Sequence, residues 1–368
     1  MNDLVFMRTA LALARRGLGA VWPNPAVGCV IVKDGHIVGR GWTQPGGRPH
    51  GETEALRRAG PAAQRATAYV TLEPCCHWGK TPPCADALIA AGVKRAVVAI
   101  EDPDPRMAGA GIARLRQAGI AVELGLGAAE AAEINAGFFS RLAHGRPLVT
   151  LKLATSLDGR IALATGESQW ITGAPARERG HLLRAQHDAI LVGTGTALAD
   201  DPQLTCRLPG LAGRSPVRVV LDRELRIPLG AKLFADAKAV PTWVVTDGCA
   251  DSGRKQALGD RGIEVIDVSA DPAGGLSLPE VLASLAGRGV TRVLVEGGGR
   301  LAAALLKDGL VDRLVWAHAP MLIGGDGIPA VAALALGSLA DAPRFERLSS
   351  DIAGDDGFAT FRVVSRGV

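Results

Sequence analysis

Short apolar runs alternate with amphipathic helical segments along nearly the whole chain, and this alternation restricts the fold more than any other feature of the sequence. In the first third, TAYVTL (67–72) and RAVVAI (95–100) predict strands, and a helix over 83–92 is predicted between them. A strand–helix–strand order is typical of α/β layers, in which helices cover the faces of a sheet. We therefore expect an α/β fold.

Other segments of the first third fit the same layered pattern. PNPAVGCVIVKDGHIVGRGW (23–42) predicts a β-hairpin, because Asp-Gly between two apolar runs is a preferred two-residue turn. GETEALRRAG (51–60) predicts a short helix that stops at its final glycine. Further helices are expected over residues 4–16, 109–118 and 128–142.

The length of 368 residues exceeds one ordinary hydrophobic core and predicts two domains. HGRPLVTL (144–151) is the expected boundary, because a polar breaker is followed at once by a new strand. We expect domains at 1–145 and 146–368. The second domain alternates again, with strands predicted over 188–193, 216–222, 241–247, 262–268, 292–299 and 313–320 and helices over 174–186, 278–286 and 300–308. Its last apolar segment, FATFRVVSR (358–366), is expected to be an edge strand.

Composition narrows the classes of partner. A net charge of +4 does not indicate a nucleic-acid binder, and 4% aromatic residues argue against a base-stacking platform. The longest apolar run, 328–340, is shorter than the roughly 18 residues of a membrane span. The N-terminus lacks the basic region of a signal peptide. We expect a cytoplasmic protein whose cysteines bind metal or are structural.

His50, Cys75 and Cys84 form the strongest chemical signal. One imidazole and two thiolates suit zinc, and three protein ligands leave a fourth position for a water molecule. Glu52 follows His50 by two residues, which matches the His-x-Glu signature of zinc nucleobase deaminases, where the glutamate moves protons and is not a ligand. Cys84 is expected to begin a helix, where a thiolate is stabilised.

The generic deaminase signature, Pro-Cys-x-x-Cys, is matched imperfectly, because eight residues separate the two cysteines of EPCCHWGKTPPC (73–84). Cys76 and His77 lie within this segment and are interpreted as residues that line the loop. A structural zinc held by four ligands, including Cys76 or His77, is an alternative. That alternative leaves His50 and Glu52 without a role.

The segments PNPAVGCVIV, HGETEAL and EPCCHWGKTPPC resemble the deaminase half of the bifunctional riboflavin-biosynthesis deaminase/reductase family, which has a long cysteine spacing of this kind. The resemblance implies a cytidine-deaminase-like three-layer α/β/α domain. It also implies one zinc ion bound by His50, Cys75 and Cys84, with Glu52 as the catalytic proton shuttle.

Gly51 and Asn24 lie within these motifs. The family commonly has His-Ala-Glu, whereas this chain has Gly51, and a glycine near a helix end costs less than the roughly 1 kcal/mol of a helix interior. Asn24 resembles a residue that contacts the pyrimidine. An Asx turn explains it equally well.

Three segments of the second half, 150–173, 183–207 and 295–306, resemble the reductase half of the same family, which implies a dihydrofolate-reductase-like α/β domain that uses NADPH. VEGGGRLAAALL (295–306) also places glycines at a strand end before a helix, where backbone N–H groups can bind an anion. The NADPH contacts implied by the resemblance are Ala154, Trp170, Thr196, Asp200, Gly298, Gly299, Arg300, Leu301, Ala302, Ala303 and Ala304. The implied substrate contacts are Ser168, Arg184, Leu204, Arg207 and Glu296, and weaker candidates near the nicotinamide are Lys152 and Asp158.

Together the motifs predict a bifunctional enzyme for a small phosphorylated pyrimidine, which it deaminates with zinc and then reduces with NADPH. We expect a homo-oligomer, either a dimer or a tetramer. One alternative is another zinc nucleotide or nucleobase deaminase with an appended nucleotide-binding domain. A second is a zinc-stabilised binding protein without catalysis, which would not need Glu52.

Overall fold

The computed structural model describes residues 3–79, 82–272 and 274–364, so Lys80 and Thr81 of the cysteine-rich segment lie outside the described residues. The chain divides into two compact units, Met1–His144 and Gly145–Val368. Both units contain a sheet with helices, as the α/β alternation predicts. Each unit is described by itself.

The first unit is built on a five-stranded sheet with strand order β2-β1-β3-β4-β5. Strand β1 is antiparallel to β2 and β3, and the remaining pairs are parallel. Its elements are α1 (Asp3–Ala14), β1 (Gly28–Lys33), β2 (His36–Trp42), α2 (Gly51–Ala59), β3 (Thr67–Val70), α3 (Cys84–Ala90), β4 (Arg95–Val98), α4 (Ala110–Gln117), β5 (Ala121–Leu124) and α5 (Ala128–His144).

Alternate residues of β1 divide the first unit into three layers. Cys29 and Ile31 face a core that includes residues of α2, α3 and α4. Val30 and Val32 face a second core, which includes residues of α1 and α5. Because side chains alternate between the two faces of a strand, one central sheet buries both cores. The predicted three-layer α/β/α arrangement is confirmed.

The predicted hairpin turn is also confirmed. β1 ends at Lys33 and β2 begins at His36, so Asp34 and Gly35 form the two-residue connection. Their φ angles are 50° and 80°, and a turn with positive φ at both central positions suits the twist of paired strands. The hairpin leads directly to the segment that carries His50.

The second unit is built on a nine-stranded sheet with strand order β11-β10-β9-β8-β12-β6-β13-β16-β15. The strands from β11 to β13 are parallel to their neighbours, and the last two are antiparallel. The elements are β6 (Leu148–Thr155), β7 (Arg160–Ala162), α6 (Ala174–Ala185), β8 (Ala189–Gly193), α7 (Thr194–Asp200), β9 (Val217–Leu221), α8 (Lys232–Ala235), β10 (Thr242–Asp247), α9 (Ser252–Gly259), β11 (Glu264–Val268), α10 (Leu278–Gly287), β12 (Arg292–Val295), α11 (Gly299–Lys307), β13 (Arg313–His318), β14 (Ile328–Pro329), β15 (Phe345–Ala353) and β16 (Asp356–Val363).

The structure corrects two details of the second half. FATFRVVSR was expected to form an edge strand, but β16 lies between β13 and β15, and β15 is the edge. Residues 346–352 of β15 are all exposed, and the sequence of this strand accordingly lacks a clear apolar pattern. β15 joins the sheet through its pairing with β16. Strand β12 also ends at Val295, which leaves Glu296 and the glycines after it beyond the sheet.

Among the described helices, none is both long enough and apolar enough to cross a membrane.

Candidate functional site

Three elements of the first unit bring His50, Cys75 and Cys84 together. His50 immediately precedes α2, Cys84 is the first residue of α3, and Cys75 lies in the loop that follows β3. The Nδ1 atom of His50 is 3.3 Å from the Sγ of Cys84 and 3.6 Å from the Sγ of Cys75. One ligand atom from each of the three residues lies within 4.8 Å of the others.

The three donors fit a zinc ion. Tetrahedral zinc with ordinary Zn–N and Zn–S bonds separates a nitrogen and a sulfur ligand by about 3.5 Å, close to both observed distances. The backbone N–H of Cys84 donates to the Sγ of Cys75 at 3.3 Å. The thiol of Cys84 and the imidazole of His50 lower the pKa of Cys75 to about 4, which favours the thiolate that zinc binds.

Glu52 lies in the first turn of α2 beside these donors and is only 3% exposed. Its Oε2 atom is buried without a hydrogen-bond partner. Burial raises the pKa of Glu52 to about 7. A buried carboxyl oxygen without a partner is costly in a purely structural role, and it suits a group that exchanges protons with a bound molecule.

Gly51 allows α2 to approach the hairpin closely. A Cβ atom at this position would lie 2.7 Å from the carbonyl oxygen of Val27. The residue is buried and separates the metal donor His50 from Glu52. The close contact gives a physical reason for glycine in this chain, because an alanine requires α2 or β1 to shift.

Cys76 and His77 are not part of this donor cluster. The Nδ1 of His77 lies 3.0 Å from the Sδ of Met107. Among the described residues, the only cluster of three or more His, Cys, Asp and Glu side chains able to hold a metal is that of His50, Cys75 and Cys84. This geometry favours three protein ligands over the four-ligand alternative, and the dispensability of Cys76 remains a prediction.

Asn24 lies against the loop that precedes His50. A Cβ on Gly47 would lie 1.9 Å from the Nδ2 of Asn24, so the amide occupies the space that a side chain would need there. The φ angle of Gly47 is +83°, which also favours glycine. The structure therefore places Asn24 close to the His50 segment, and its contact with a pyrimidine remains a prediction.

Glu73 is a residue of this region that the sequence did not identify. Its carboxylate, only 3% exposed, accepts hydrogen bonds from four backbone N–H groups at 2.8–3.1 Å. The donors are Asp102, Gly109, Gly111 and Ile112, which lie before or in the first turn of α4. Glu73 thus fixes this segment to the loop that carries Cys75. Its place in Leu-Glu-Pro-Cys, directly after a strand, was the available signal.

In the second unit, the predicted substrate residues Arg184 and Glu296 form a half-buried ion pair. Arg184 donates to the two carboxylate oxygens of Glu296 at 2.8 and 2.9 Å, and to the carbonyl oxygen of Thr205 at 3.0 Å. Burial opposes the charge of Glu296, but the guanidinium of Arg184 outweighs it and holds the pKa of Glu296 at about 2. Arg184 is therefore held in place by protein groups.

Further basic groups surround this pair. The charge of Lys152 also lowers the pKa of Glu296. Burial lowers the pKa of His181, and the charges of Arg184 and Arg207 add to that effect. Three cations around one carboxylate leave a net positive charge, which suits an anionic ligand such as a sugar phosphate.

The predicted cofactor residues lie at the carboxyl ends of three neighbouring strands. β8, β12 and β6 are adjacent and parallel, and ligands of such sheets bind beyond the carboxyl ends of the strands. Ala154 lies near the end of β6, Thr196 and Asp200 lie in α7 after β8, and Gly298 precedes α11 after β12. The Oγ1 of Thr196 accepts a hydrogen bond from the N–H of Gly298 at 3.1 Å, which joins two of these segments.

Not every predicted cofactor residue of α11 can contact a ligand through its side chain. Ala302 and Ala303 are buried, whereas Arg300 is exposed. Leu301 packs against Gly297, because a Cβ atom added to Gly297 would lie 2.7 Å from the Cδ2 of Leu301. The first turn of α11, beginning at Gly299, is therefore the part best placed to offer backbone N–H groups.

The remaining predicted residues of the second unit differ in exposure. Trp170 is 65% exposed and the Cζ of Arg177 lies 4.6 Å from the centroid of its ring, while Ser168 is half-buried. Leu204 is 2% exposed and belongs to the core, so only its backbone could face a ligand. Arg207 is exposed.

Asp158 has a local structural role. Its carboxylate accepts hydrogen bonds from the Ser156 hydroxyl and from the N–H groups of Ile323 and Gly324. The Ser156 hydroxyl, followed by the Gly324 N–H, lowers the pKa of Asp158 to about 2. These bonds join the turn after β6 to the 321–324 loop. A contact between Asp158 and the nicotinamide remains a prediction.

Both halves of the chain match known families. Residues 1–100 match the cytidine and deoxycytidylate deaminase zinc-binding region, and residues 147–351 match the RibD C-terminal domain. The chain belongs to the RibD family. The resemblance noted from the motifs is confirmed, and the chain is an enzyme with a zinc-binding deaminase domain and an NADPH-dependent reductase domain in riboflavin biosynthesis.

RibD relatives match over nearly the full length. The riboflavin biosynthesis protein RibD of Escherichia coli (strain K12) is 45% identical, and the match covers 94% of this chain and 95% of that protein. RibD of Bacillus amyloliquefaciens is also 45% identical, and the match covers 93% of this chain and 91% of that protein. RibD of Acinetobacter baumannii has a TM-score of 0.88 at 40% identity, with 99% of both chains covered. A deaminase/reductase from Thermotoga maritima has a TM-score of 0.85 at 34% identity, with 98% of both covered.

Proposed function

We propose that this RibD family member first deaminates 2,5-diamino-6-ribosylamino-4(3H)-pyrimidinone 5′-phosphate. It then reduces the ribosyl side chain with NADPH to give 5-amino-6-(5-phosphoribitylamino)uracil. The position of Glu52, buried beside the donors His50, Cys75 and Cys84, is the observation that carries the deaminase assignment. Residues 1–145 carry out the deamination and residues 146–368 the reduction.

In the deaminase, His50, Cys75 and Cys84 hold zinc, which polarises the attacking water when it is bound. Glu52 accepts a proton from that water as its oxygen bonds to the ring carbon that bears the exocyclic amine. The same carboxyl group delivers the proton to the ring nitrogen and then assists departure of the amine as ammonia. Asn24 contacts the pyrimidine ring and orients it.

In the reductase, Arg184 and Arg207 provide positive charge for the substrate phosphate, and Glu296 holds Arg184 in its orientation. Lys152, whose charge acts on Glu296, lies on the nicotinamide side. Ser168 and the backbone of Leu204 complete the substrate site. NADPH supplies the hydride. The residues proposed to position the cofactor are Ala154, Asp158, Trp170, Thr196, Asp200 and Gly298 to Ala304.

The full-length chain offers a test that separates the two activities. Glu52→Gln is expected to reduce ammonia release by about 10²–10⁴-fold while zinc content is unchanged, because it removes only the proton-transfer group. The same variant should oxidise NADPH normally when the deaminated substrate is supplied. Glu54→Gln is the matched control, since Glu54 lies on the same helix and pairs with Arg57 and Arg58.

The outcomes distinguish the candidate functions. Full deaminase activity in Glu52→Gln contradicts the proposed proton transfer. A wild type that binds zinc but releases no ammonia favours a zinc-stabilised binding protein. Failure of the wild type to oxidise NADPH with the deaminated substrate contradicts the reductase assignment. Ammonia release from a free nucleotide such as dCMP, with none from the proposed substrate, favours another class of zinc deaminase.

We also propose that the protein is a cytoplasmic homo-oligomer, either a dimer or a tetramer, with no nucleic-acid or membrane partner. All six cysteines are free, which suits a reducing compartment. The edge strand β15 exposes Leu348 and Ile352, the latter by 74%, and unprotected edges of this kind favour pairing with another chain. Light scattering of Ile352→Lys should show a smaller assembly than the wild type, and an unchanged mass would contradict the use of this edge.

A further inference from the structure

Arg160 carries a buried donor that no described group of the protein satisfies. Its Nε atom is buried and has no hydrogen-bond partner, and among the described residues only Glu52 Oε2 shares that condition. In the described parts of the chain, no carboxylate forms an ion pair with its guanidinium. Because a desolvated donor without a partner destabilises the folded state, a bound ligand is the natural source of a partner.

The backbone holds Arg160 rigidly in place. Its N–H donates to the Ser156 hydroxyl at 3.0 Å, and its strand β7 pairs with β14, with Pro329 opposite Arg160. A Cβ on Gly327 would lie 3.0 Å from the Cγ of Arg160, so the loop before β14 packs directly on the aliphatic part of the side chain. The guanidinium therefore extends from a fixed base.

The β7–β14 pair also lies against the N-terminus of α11. The N–H of Ala330 donates to the carbonyl oxygen of Gly159 at 3.0 Å, and the N–H of Ala332 donates to that of Gly299 at 2.9 Å. A Cβ on Gly299 would lie 2.5 Å from the carbonyl oxygen of Pro329. The segment that carries Arg160 is thus in contact with the first turn of α11, where backbone N–H groups and the helix dipole favour an anion.

We propose that Arg160 is a phosphate-binding residue of the reductase, and that it contacts the diphosphate of the nicotinamide dinucleotide at the N-terminus of α11. The proposal rests on the proposed NADPH-dependent reductase function. A guanidinium can donate two parallel hydrogen bonds to phosphate oxygens, and the fixed base of the side chain reduces the entropy lost on binding. The substrate also carries a phosphate, so the experiment must separate the two sources.

Binding measurements on the full-length protein make that separation. Calorimetric titration of Arg160→Gln with NADPH and with NADH should show affinities for both that are weaker by about tenfold or more, since a hydrogen bond to a charged group contributes about 1.5–3 kcal/mol. Arg160→Lys should retain part of the affinity because it keeps the charge. Arg261→Gln is the control, because it removes one exposed arginine that follows α9 and donates to the carbonyl oxygen of Leu229.

Each other outcome contradicts the proposal. A loss confined to NADPH assigns Arg160 to the 2′-phosphate. Unchanged binding of both dinucleotides with weaker binding of ribose 5-phosphate assigns it to the substrate. If the wild type binds neither dinucleotide, the reductase function fails; if wild type and Arg160→Gln bind both equally, only this inference fails.

Thermal unfolding provides a readout independent of activity. Without ligand, Arg160→Gln should melt at the wild-type temperature or above it, because the variant removes a buried Nε donor that has no partner. The rise in melting temperature on adding NADPH should be smaller than in the wild type, as weaker binding to the folded state requires. A lower melting temperature without ligand, together with an unchanged NADPH-induced rise, would instead show a structural role.

Discussion

Arg184 donates two parallel hydrogen bonds to Glu296, from its Nε atom at 2.8 Å and its Nη2 atom at 2.9 Å. The side chains are 15% and 14% exposed, so most of their surface is removed from water. Arg184 lies on α6, and Glu296 follows β12 at the carboxyl end of the sheet. The pair therefore links a surface helix to the strand end where the proposed substrate and cofactor sites meet.

Removal of one partner of this pair should destabilise the second unit. Arg184→Met is expected to lower the free energy of unfolding of this unit by about 3–5 kcal/mol, because the largely desolvated carboxylate of Glu296 loses both hydrogen bonds and its nearest counter-charge. Urea denaturation of the full chain measures the change. Arg179→Met is the control, since Arg179 and Asp351 form a more exposed pair at 3.4 Å and such pairs contribute at most about 1 kcal/mol. Equal effects of the two substitutions would contradict the prediction.

The same carboxylate should produce a pH dependence of stability. The pKa of Glu296 is depressed from 4.5 to about 2, so the folded state binds its proton less tightly than the unfolded state. Its contribution to stability is complete above pH 4.5 and is lost as the pH falls toward 2. Unfolding of the wild type and Glu296→Gln should therefore be compared from pH 6 downward. The difference in their unfolding free energies should shrink over this interval, and a constant difference would refute the assignment.

Cysteine substitutions should separate the metal donors from their neighbour. Cys84→Ala is expected to lose most of the bound zinc, because two donors remain where three converge. Cys76→Ala should retain one zinc per chain. Zinc content after gel filtration, measured by atomic absorption, decides between them. A loss of zinc in Cys76→Ala would revive the interpretation of a four-ligand structural site.

Glu73→Ala should destabilise the first unit by about 3 kcal/mol or more, because it leaves four buried backbone N–H groups without an acceptor. We also expect zinc to dissociate faster, since the loop with Cys75 loses its connection to α4. Denaturation and zinc release to a chromogenic chelator measure the two effects. Glu101→Ala, an exposed change at the start of the same segment, should behave as the wild type. Comparable effects of both substitutions would exclude an anchoring role for Glu73.

Arg184 and Arg207 have different surroundings that the sequence could not predict. Both are arginines that were predicted to contact the substrate, Arg184 in a predicted helix and Arg207 outside any predicted element. The structure pairs Arg184 with Glu296 and leaves the Arg207 side chain exposed. Strand order brings Glu296 to Arg184 across 112 residues, and no local pattern carries that information.

The sequence by itself predicted most of the order of strands and helices, the Asp34–Gly35 hairpin and, through motifs that resemble a known family, the candidate zinc donors His50, Cys75 and Cys84. The elements and the hairpin follow from short-range rules, because periodicity and turn chemistry are properties of a few neighbouring residues. The sequence did not predict β15 or the interior position of β16. Whether a strand lies at the edge or in the centre of a sheet depends on which strands pair with it.

Only the tertiary structure decided the partners of the buried polar groups. It joined Glu73 to the segment before α4, left the Oε2 atom of Glu52 without a partner beside the zinc donors, and left the Nε atom of Arg160 unpaired in the segment that meets α11. Whether a buried polar atom is satisfied depends on groups distant in sequence that the fold brings within about 3 Å. For that reason the chemistry of single residues could be read from the chain, whereas their roles required the fold.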